Sequence, residues 1–490
     1  LSELDHLVRT RMLPGATGAT LPDWVRRGLE AGFPGITIFP GPHLEDPGTV
    51  ARLAASAREH RADALVSLDE EGGDVTRVEY AAGSSYPGNL ALGVIDDPGL
   101  TRRVATAMAR DLTGHGVNYN LAPSIDVNSD PGNPIIGVRS FGSTPELVAT
   151  HGAAFIEAMQ QAGVAVAAKH FPGHGDTNVD PHLSLPTVTC SAATLRAREL
   201  APFAAAVTAG AGSLMVAHAI YPALDPGTPA TLSPAISRDL LRGELGFDGV
   251  VLSTAVAIEA GNGPERAVAA ALATLAAGAD LILLGPGVDE ALYDLIHAAV
   301  VDAFERGELR VAELRQAADR VNGLARRFAP APAGTPEPSA VGLEAARRAI
   351  RVHGDAVLSR PATVLEVRPE GNSIAGGAGW SLGDALAAHG LAGRVQQIDG
   401  PDATWERSDA PLVIAVRDAY RTPWAREWTI KTLAERPDAI LVPVGMPDDA
   451  ALTSGAYVCA FGAGRVNLRA VADLLADLPA DLPADSPAGT

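Results

Sequence analysis

Seven short apolar runs punctuate the first two thirds of this chain, at 35–39, 64–68, 117–121, 164–168, 213–217, 249–252 and 281–284. Alanine-rich segments of helical periodicity, among them 100–115, 145–162 and 264–277, fill the intervals. Strands alternating with helices in this way are the pattern of βα units, and strands buried on both faces read as unbroken apolar runs. A weaker candidate at 11–14 brings the count to eight. The expected fold is an α/β one: a (β/α)8 barrel with a degenerate first strand, followed by a smaller α/β sandwich. Polar residues gather just beyond the strands, at Asp69-Glu70-Glu71, Asp126, Lys169-His170, His218 and Ser253-Thr254. In a barrel those positions ring the C-terminal mouth, where catalytic side chains collect. A doubly wound open sheet is the competing architecture, and it has less use for so many polar strand ends.

With 490 residues the chain has room for more than one domain. The barrel is expected over 1–328. The run Ala-Pro-Ala-Pro-Ala-Gly-Thr-Pro-Glu-Pro within 329–341 reads as an extended linker. Further apolar runs at 362–367, 412–416, 439–444 and 457–460 put the sandwich at 342–475, and 476–490 reads as a disordered tail. A net charge of −20 argues against nucleic acid or an anionic membrane as partner, since either needs a basic footprint. No apolar run approaches about 18 residues, so no membrane span is expected. Cys190 and Cys459 are too few and too distant for a disulfide scaffold. The chain opens on Leu1 without a signal-like segment. A cytoplasmic location is expected, with export after removal of a leader as the alternative. The sequence carries no signal for an oligomeric state.

Chemistry concentrates in Lys169-His170-Phe171-Pro172-Gly173-His174-Gly175-Asp176-Thr177-Asn178-Val179-Asp180-Pro181-His182. Lys169 and Lys431 are the only lysines in a Lys+Arg total of 38, so a lysine here points to a need for a compact ammonium. Asp180 and His182, two apart on a loop shaped by Gly and Pro, suit a carboxylate–imidazole pair. The aspartate would hold the ring and raise its basicity, letting it give and recover a proton near neutral pH. Metal binding through His170, His174, Asp176, Asp180 and His182 is a rival reading, but the spacing fits no zinc pattern. A hydrogen-bonded structural loop is the other. Neither a metal nor an organic cofactor is expected.

This segment resembles the signature of the β-N-acetylglucosaminidase subgroup of glycoside hydrolase family 3: Lys-His-Phe-Pro-Gly-His-Gly-Asp-Thr, two variable residues, then Asp-Ser-His. Other stretches agree in the same order over about residues 1–330. They are Asp69-Glu70-Glu71-Gly72-Gly73 with Val75 and Arg77, Asn120-Leu121-Ala122-Pro123, Asp126-Val127-Asn128, Ile136-Gly137-Val138-Arg139-Ser140-Phe141-Gly142, Met215-Val216-Ala217-His218 and Gly246-Phe247-Asp248-Gly249-Val250-Val251. The resemblance implies that Asp180 and His182 form the general acid/base dyad. It also implies that Asp69, Arg139, Lys169 and His170 hold the sugar hydroxyls, with an N-acetylglucosamine-containing saccharide as the partner. Carboxylates accepting from hydroxyls and cations donating to them are sound chemistry for gripping a pyranose. Arg139 and Asp126 also have a plainer reading, as braces of the barrel rim.

Two positions depart from the family pattern. Pro181 replaces the serine between the dyad members, which fixes φ and removes a donor there. Thr254 stands where the family has its aspartate nucleophile. A retaining glycosidase puts a carboxylate beneath the anomeric carbon, and a threonine hydroxyl is neutral and a poor nucleophile without a base. Two functions follow as expectations. One is a glycosidase-type enzyme of altered chemistry, through substrate assistance, transfer to another acceptor or elimination. The other is a catalytically inactive amino-sugar-binding pseudoenzyme, serving as sensor or scaffold. Peptidoglycan-derived fragments would be the natural ligands in a cytoplasmic setting, and chitin-derived ones after export.

Overall fold

The computed structural model describes residues 2–177, 185–254, 263–330, 340–369 and 379–477. Eight parallel strands form the first sheet: β1 (Met12–Ala16), β2 (Gly35–Ile38), β3 (Leu65–Leu68), β4 (Tyr119–Asn120), β5 (Ala165–Phe171) and β6 (Ser213–Val216), then, after a short antiparallel hairpin of β7 (Ile220–Tyr221) and β8 (Asp225–Pro229), β9 (Val250–Leu252) and β10 (Ile282–Gly285). Their spatial order is β10-β1-β2-β3-β4-β5-β6-β9, and a parallel bridge between Leu252 and Leu281 joins the two ends into a barrel. All residues of β2, β3, β5, β9 and β10 are buried, which is why they read as continuous apolar runs.

The first strand is a full member, pairing with both β10 and β2. The expected strand at 117–121 is shorter than its apolar run, because two asparagine side chains take over part of the pairing. Asn118 accepts from the Val66 amide at 2.7 Å and donates to the carbonyls of Ala64 and Phe328 at 3.2 and 2.9 Å. Asn120 exchanges two bonds with the Glu70 backbone, at 3.0 and 2.8 Å. The helices Pro98–Gly114, Pro145–Gln161 and Pro264–Ala277 each open with proline, where the missing N–H costs nothing. Asp97 caps the first by accepting from the Leu100 amide. Outward strand residues such as Val66, Leu68 and Val166 pack against this helical ring in the main core. Leu65, Tyr119, Ala165, Ala167, Val250 and Leu252 fill the interior, which Leu324 and Phe328 plug at the N-terminal end.

The second sheet has six strands in the order β11-β16-β15-β14-β12-β13: β11 (Arg351–His353), β12 (Ala362–Val367), β13 (Ala392–Ile398), β14 (Leu412–Val416), β15 (Ile440–Pro443) and β16 (Tyr457–Cys459). All pairs are parallel except β11 with β16. Helices Leu382–Ala387, Pro423–Glu435 and Arg465–Leu475 cover it, and its two faces carry separate apolar cores. The barrel-plus-sandwich architecture expected from the sequence is the one observed. The sheets meet where Arg417, just past β14, pairs with buried Asp74 at 2.5 Å, and where the Ala463 amide donates to Asp74 at 2.7 Å. The expected linker and tail fall largely outside the described residues.

Candidate active site

Strand alternation decides which side chains reach the mouth. Inner-core residues Leu65 of β3, Ala165 and Ala167 of β5, and Val250 and Leu252 of β9 define the inward series. Continuing by twos, β3 reaches Ser67 and then Asp69, β5 reaches Lys169, and β9 reaches Thr254. Hydroxyl pairs, Thr37 with Ser67 and Tyr119 with Ser213, each at 2.7 Å, make a polar layer in the interior.

Above that layer Lys169 is held between two carboxylates, 2.6 Å from Asp69 Oδ1 and 2.7 Å from Glu71 Oε1. Arg139 grips Glu71 through both oxygens at 2.8 Å, and its Nη1 donates to the Ile135 carbonyl at 3.1 Å. The side chains of Lys169, Glu71 and Arg139 are 2–3% exposed, while that of Asp69 is 19% exposed. The difference assigns the labour. Glu71 is consumed in holding its two cations, and Asp69 is the carboxylate left facing the mouth. Burial opposes ionisation of Asp69, but the charges of Lys169 and Arg77 outweigh it and keep the carboxyl below its ordinary value. Burial likewise opposes ionisation of Glu71, and Arg139 and Lys169 overcome it by a wider margin. Their neighbour Glu70 faces the other way. Burial pushes it up to about 7, although the amides of Arg77 and Val78 and the Thr76 hydroxyl all donate to it.

A second cluster centres on Asp126, which is fully buried. It accepts from His170 Nδ1 and the His174 amide at 2.7 Å, from Ser124 Oγ at 2.9 Å and from the His170 amide at 3.2 Å. Burial works against its charge, yet the two histidines and these bonds bring it down to about 2. For His170, burial together with the nearby cations Arg139 and Lys169 outweighs Asp126 and lowers its pKa, so the ring is neutral near pH 7. With Nδ1–H committed to an anionic acceptor, the tautomer assigned by that bond leaves Nε2 as a hydrogen-bond acceptor. The loop carrying these residues is laid close on its neighbour. Asn133 donates to the carbonyls of His174 and Gly175 at 2.9 and 3.1 Å, and a Cβ at Gly175 would stand only 1.6 Å from the Val127 carbonyl.

The arrangement is a rigid mouth offering an acceptor carboxylate, a cation and a neutral imidazole acceptor, the complement of a ring of hydroxyls. A sequence model of the glycosyl hydrolase family 3 N-terminal domain matches residues 23–324, the barrel that carries every one of these groups. The chain belongs to glycosyl hydrolase family 3. A family member of known structure shares the whole architecture. A glycoside hydrolase family 3 β-N-acetylglucosaminidase from Paenibacillus sp. str. FPU-7 is 32% identical, with a TM-score of 0.87 and 99% of each chain covered. A β-hexosaminidase of Stenotrophomonas maltophilia (strain K279a) is 34% identical over 320 residues, 61% of this chain and 92% of its own. β-Hexosaminidase A of Pseudoalteromonas piscicida is 35% identical over 290 residues, which are 55% of this chain and about half, 48%, of that relative.

Of the family positions predicted from sequence, Asp69, Lys169, Arg139 and His170 come together at the mouth. Thr254, half-buried, lies two residues past the end of β9, and the intervening Ser253 accepts from the Leu283 amide at 3.2 Å. Asp180 and His182 lie outside the described residues. From sequence alone Glu71 has no specific partner, and Asp126 reads as a brace of the barrel rim. The geometry makes Glu71 the shared anchor of Lys169 and Arg139, and Asp126 the group that orients His170. A signal for both was present, since each is an acid within six residues of the C-terminal end of a barrel strand.

Proposed function

We propose that this protein acts on β-linked N-acetylglucosaminides as a family 3 glycosidase, with His182 moving the proton, Asp180 holding His182, and Thr254 in the nucleophile position. The observation that carries this reading is the mouth cluster, in which Lys169 bridges Asp69 and Glu71 and His170 is fixed by Asp126. The 32% identity over 99% of the Paenibacillus β-N-acetylglucosaminidase supports the substrate class. In this account Asp69 accepts from sugar hydroxyls, Lys169 donates to them and His170 Nε2 accepts from another. His182 protonates the departing glycosidic oxygen and afterwards takes a proton from the incoming acceptor.

Thr254 supplies no negative charge to the oxocarbenium-like transition state. Removing one member of a catalytic unit costs roughly four to six orders of magnitude in other enzymes, so hydrolysis by the unaltered chain is expected to be slow. The same residue favours a second reading, an amino-sugar binder without turnover. Turnover of an aryl β-N-acetylglucosaminide by the chain, by Thr254→Asp and by His182→Ala, with calorimetric N-acetylglucosamine binding in each, separates them. Weak turnover that vanishes in His182→Ala and rises steeply in Thr254→Asp supports the enzyme. Binding without turnover, with activity appearing only in Thr254→Asp, supports the binder. Neither binding nor turnover in any form would remove the sugar site altogether.

A further inference from the structure

The opposite, N-terminal end of the barrel holds a feature that sugar chemistry does not use. Arg11, one residue before β1, Asp280, two before β10, Arg238 and Arg242 of the helical segment Ala235–Glu244, Arg310, one before helix Val311–Arg327, and Glu313 and Arg320 within that helix surround a cavity of about 260 Å3. Five guanidinium groups thus face two carboxylates, in a chain whose net charge is −20. Both carboxylates are committed. Glu313 takes Arg238 bidentately at 2.8 Å and also Arg310; Asp280 takes Arg320 at 3.1 Å, the Val251 amide at 2.8 Å and Arg242. Asp239 and Asp248 lie near Arg238 and Arg242, but both are exposed and neither lines the cavity. The lining therefore carries a surplus of positive charge.

Arg11 sharpens the point. It is 5% exposed, and its bonds run from Nε to the Asp280 carbonyl at 3.2 Å and from Nη2 to the Ala279 carbonyl. Among the described residues no group accepts from its Nη1, which leaves that donor to the cavity. Burial, with smaller contributions from Arg238 and Arg320, outweighs the pull of Asp280 and Glu313 and brings Arg11 down to about 10. Guanidinium forks match the oxygens of a tetrahedral anion in pairs, and a dianion would offset most of the surplus.

We propose that this cavity binds a phosphoryl dianion, either as free phosphate or as part of a small phosphorylated ligand. The site is remote from the sugar-binding mouth and stands whether or not the glycosidase assignment does. The test is calorimetric titration of the full chain with inorganic phosphate and, separately, glucose 6-phosphate, with sodium chloride balancing ionic strength so that general screening cancels. The expected result is saturable binding of one anion per chain, weakened about tenfold or more by Arg310→Gln or Arg320→Gln, as loss of a charge-assisted bond implies. Arg315→Gln serves as control: Arg315 shares their helix but pairs with Glu3 and does not line the cavity. Arg310, which is exposed, and Arg320, which is partly so, are chosen because Arg11→Gln would free buried carbonyls and endanger folding. Tighter binding of glucose 6-phosphate would identify the source as a phosphorylated ligand, and equal binding would identify free phosphate. Absence of saturable binding by both probes, or binding unchanged in the Arg310→Gln/Arg320→Gln double variant, would overturn the proposal.

Discussion

Replacing Glu71 by glutamine tests the wiring of the mouth without changing its volume. The Glu71 side chain is 2% exposed and receives three charge-assisted bonds, from Lys169 at 2.7 Å and from two nitrogens of Arg139 at 2.8 Å. An amide keeps one acceptor oxygen but turns an N–H2 toward a donor, and it leaves Lys169 with Asp69, and Arg139 with Asp126 and Asp69, as the remaining counter-charges. Removing one partner of a buried ion pair typically costs about 3–5 kcal/mol, and Glu71→Gln is expected in that range at pH 7. Lys169→Met removes a cation from the same cluster, so the double variant restores the charge balance and should recover part of the loss, giving a coupling energy of about 1–3 kcal/mol. The assay is urea unfolding of the wild type, both single variants and the double variant. Hydrogen exchange of the Ala165–Phe171 amides would report on the barrel separately from the second sheet, since two units need not unfold together. A cost below about 1 kcal/mol for Glu71→Gln, or strict additivity in the cycle, would refute the claim that Glu71 anchors the clamp.

Two further perturbations address other joints. Asp126 has a folded-state pKa of about 2 against an ordinary 3.8, so its contribution is present above pH 4 and is lost as the pH falls from about 4 to about 2. The window is worth about 2 kcal/mol, and unfolding free energy measured from pH 5 to 2 should have a shallower slope in Asp126→Asn; an unchanged slope would remove Asp126 as the titrating group. Arg417→Ala strips the partner from Asp74, whose side chain is 3% exposed, and is expected to cost about 3 kcal/mol and to raise hydrogen exchange across 463–475. Protection unaltered there would show that the pair does not hold the second sheet to the barrel.

Strands packed on both faces were legible because nothing polar interrupts them, as in Val250–Leu252 and Ile282–Gly285. The first strand, Met12–Ala16, was faint for a structural reason. Its Gly15 runs so close to the next layer that a Cβ would stand 2.9 Å from the Gly285 carbonyl and 3.0 Å from the Phe39 ring, so the position that spoils the apolar run is the one that lets the barrel close. In the second sheet, β13 escaped notice because it is an edge strand whose sequence, Ala-Gly-Arg-Val-Gln-Gln-Ile, is mostly outside the core. At the mouth, residue types and their position after strands were visible in the sequence, but partnerships were not. Lys169 and Asp69 lie 100 residues apart, and only the adjacency of strands in the closed barrel tells which of Asp69, Glu70 and Glu71 faces the lysine. Alternation puts Asp69 inward and sends Glu70 outward to its own amide donors, a distinction that three consecutive acids conceal.

The same geometry bounds what the second sheet contributes. All the clamp residues, Asp69, Glu71, Asp126, Arg139, Lys169 and His170, lie between β3 and the end of β5. A relative whose 320 aligned residues make up 92% of its own length covers only 61% of this chain. The second sheet therefore touches the clamp through the chain that follows it. Gly72 and Gly73 connect Glu71 to Asp74, and Asp74 is the residue that Arg417 and the Ala463 amide hold. Tyr420, also beyond β14, donates to the Pro131 carbonyl in the loop that leads to Arg139. Two segments flanking the Glu71–Arg139 pair are thus pinned from outside the barrel. The second sheet acts on the site by fixing the backbone on which the clamp is mounted.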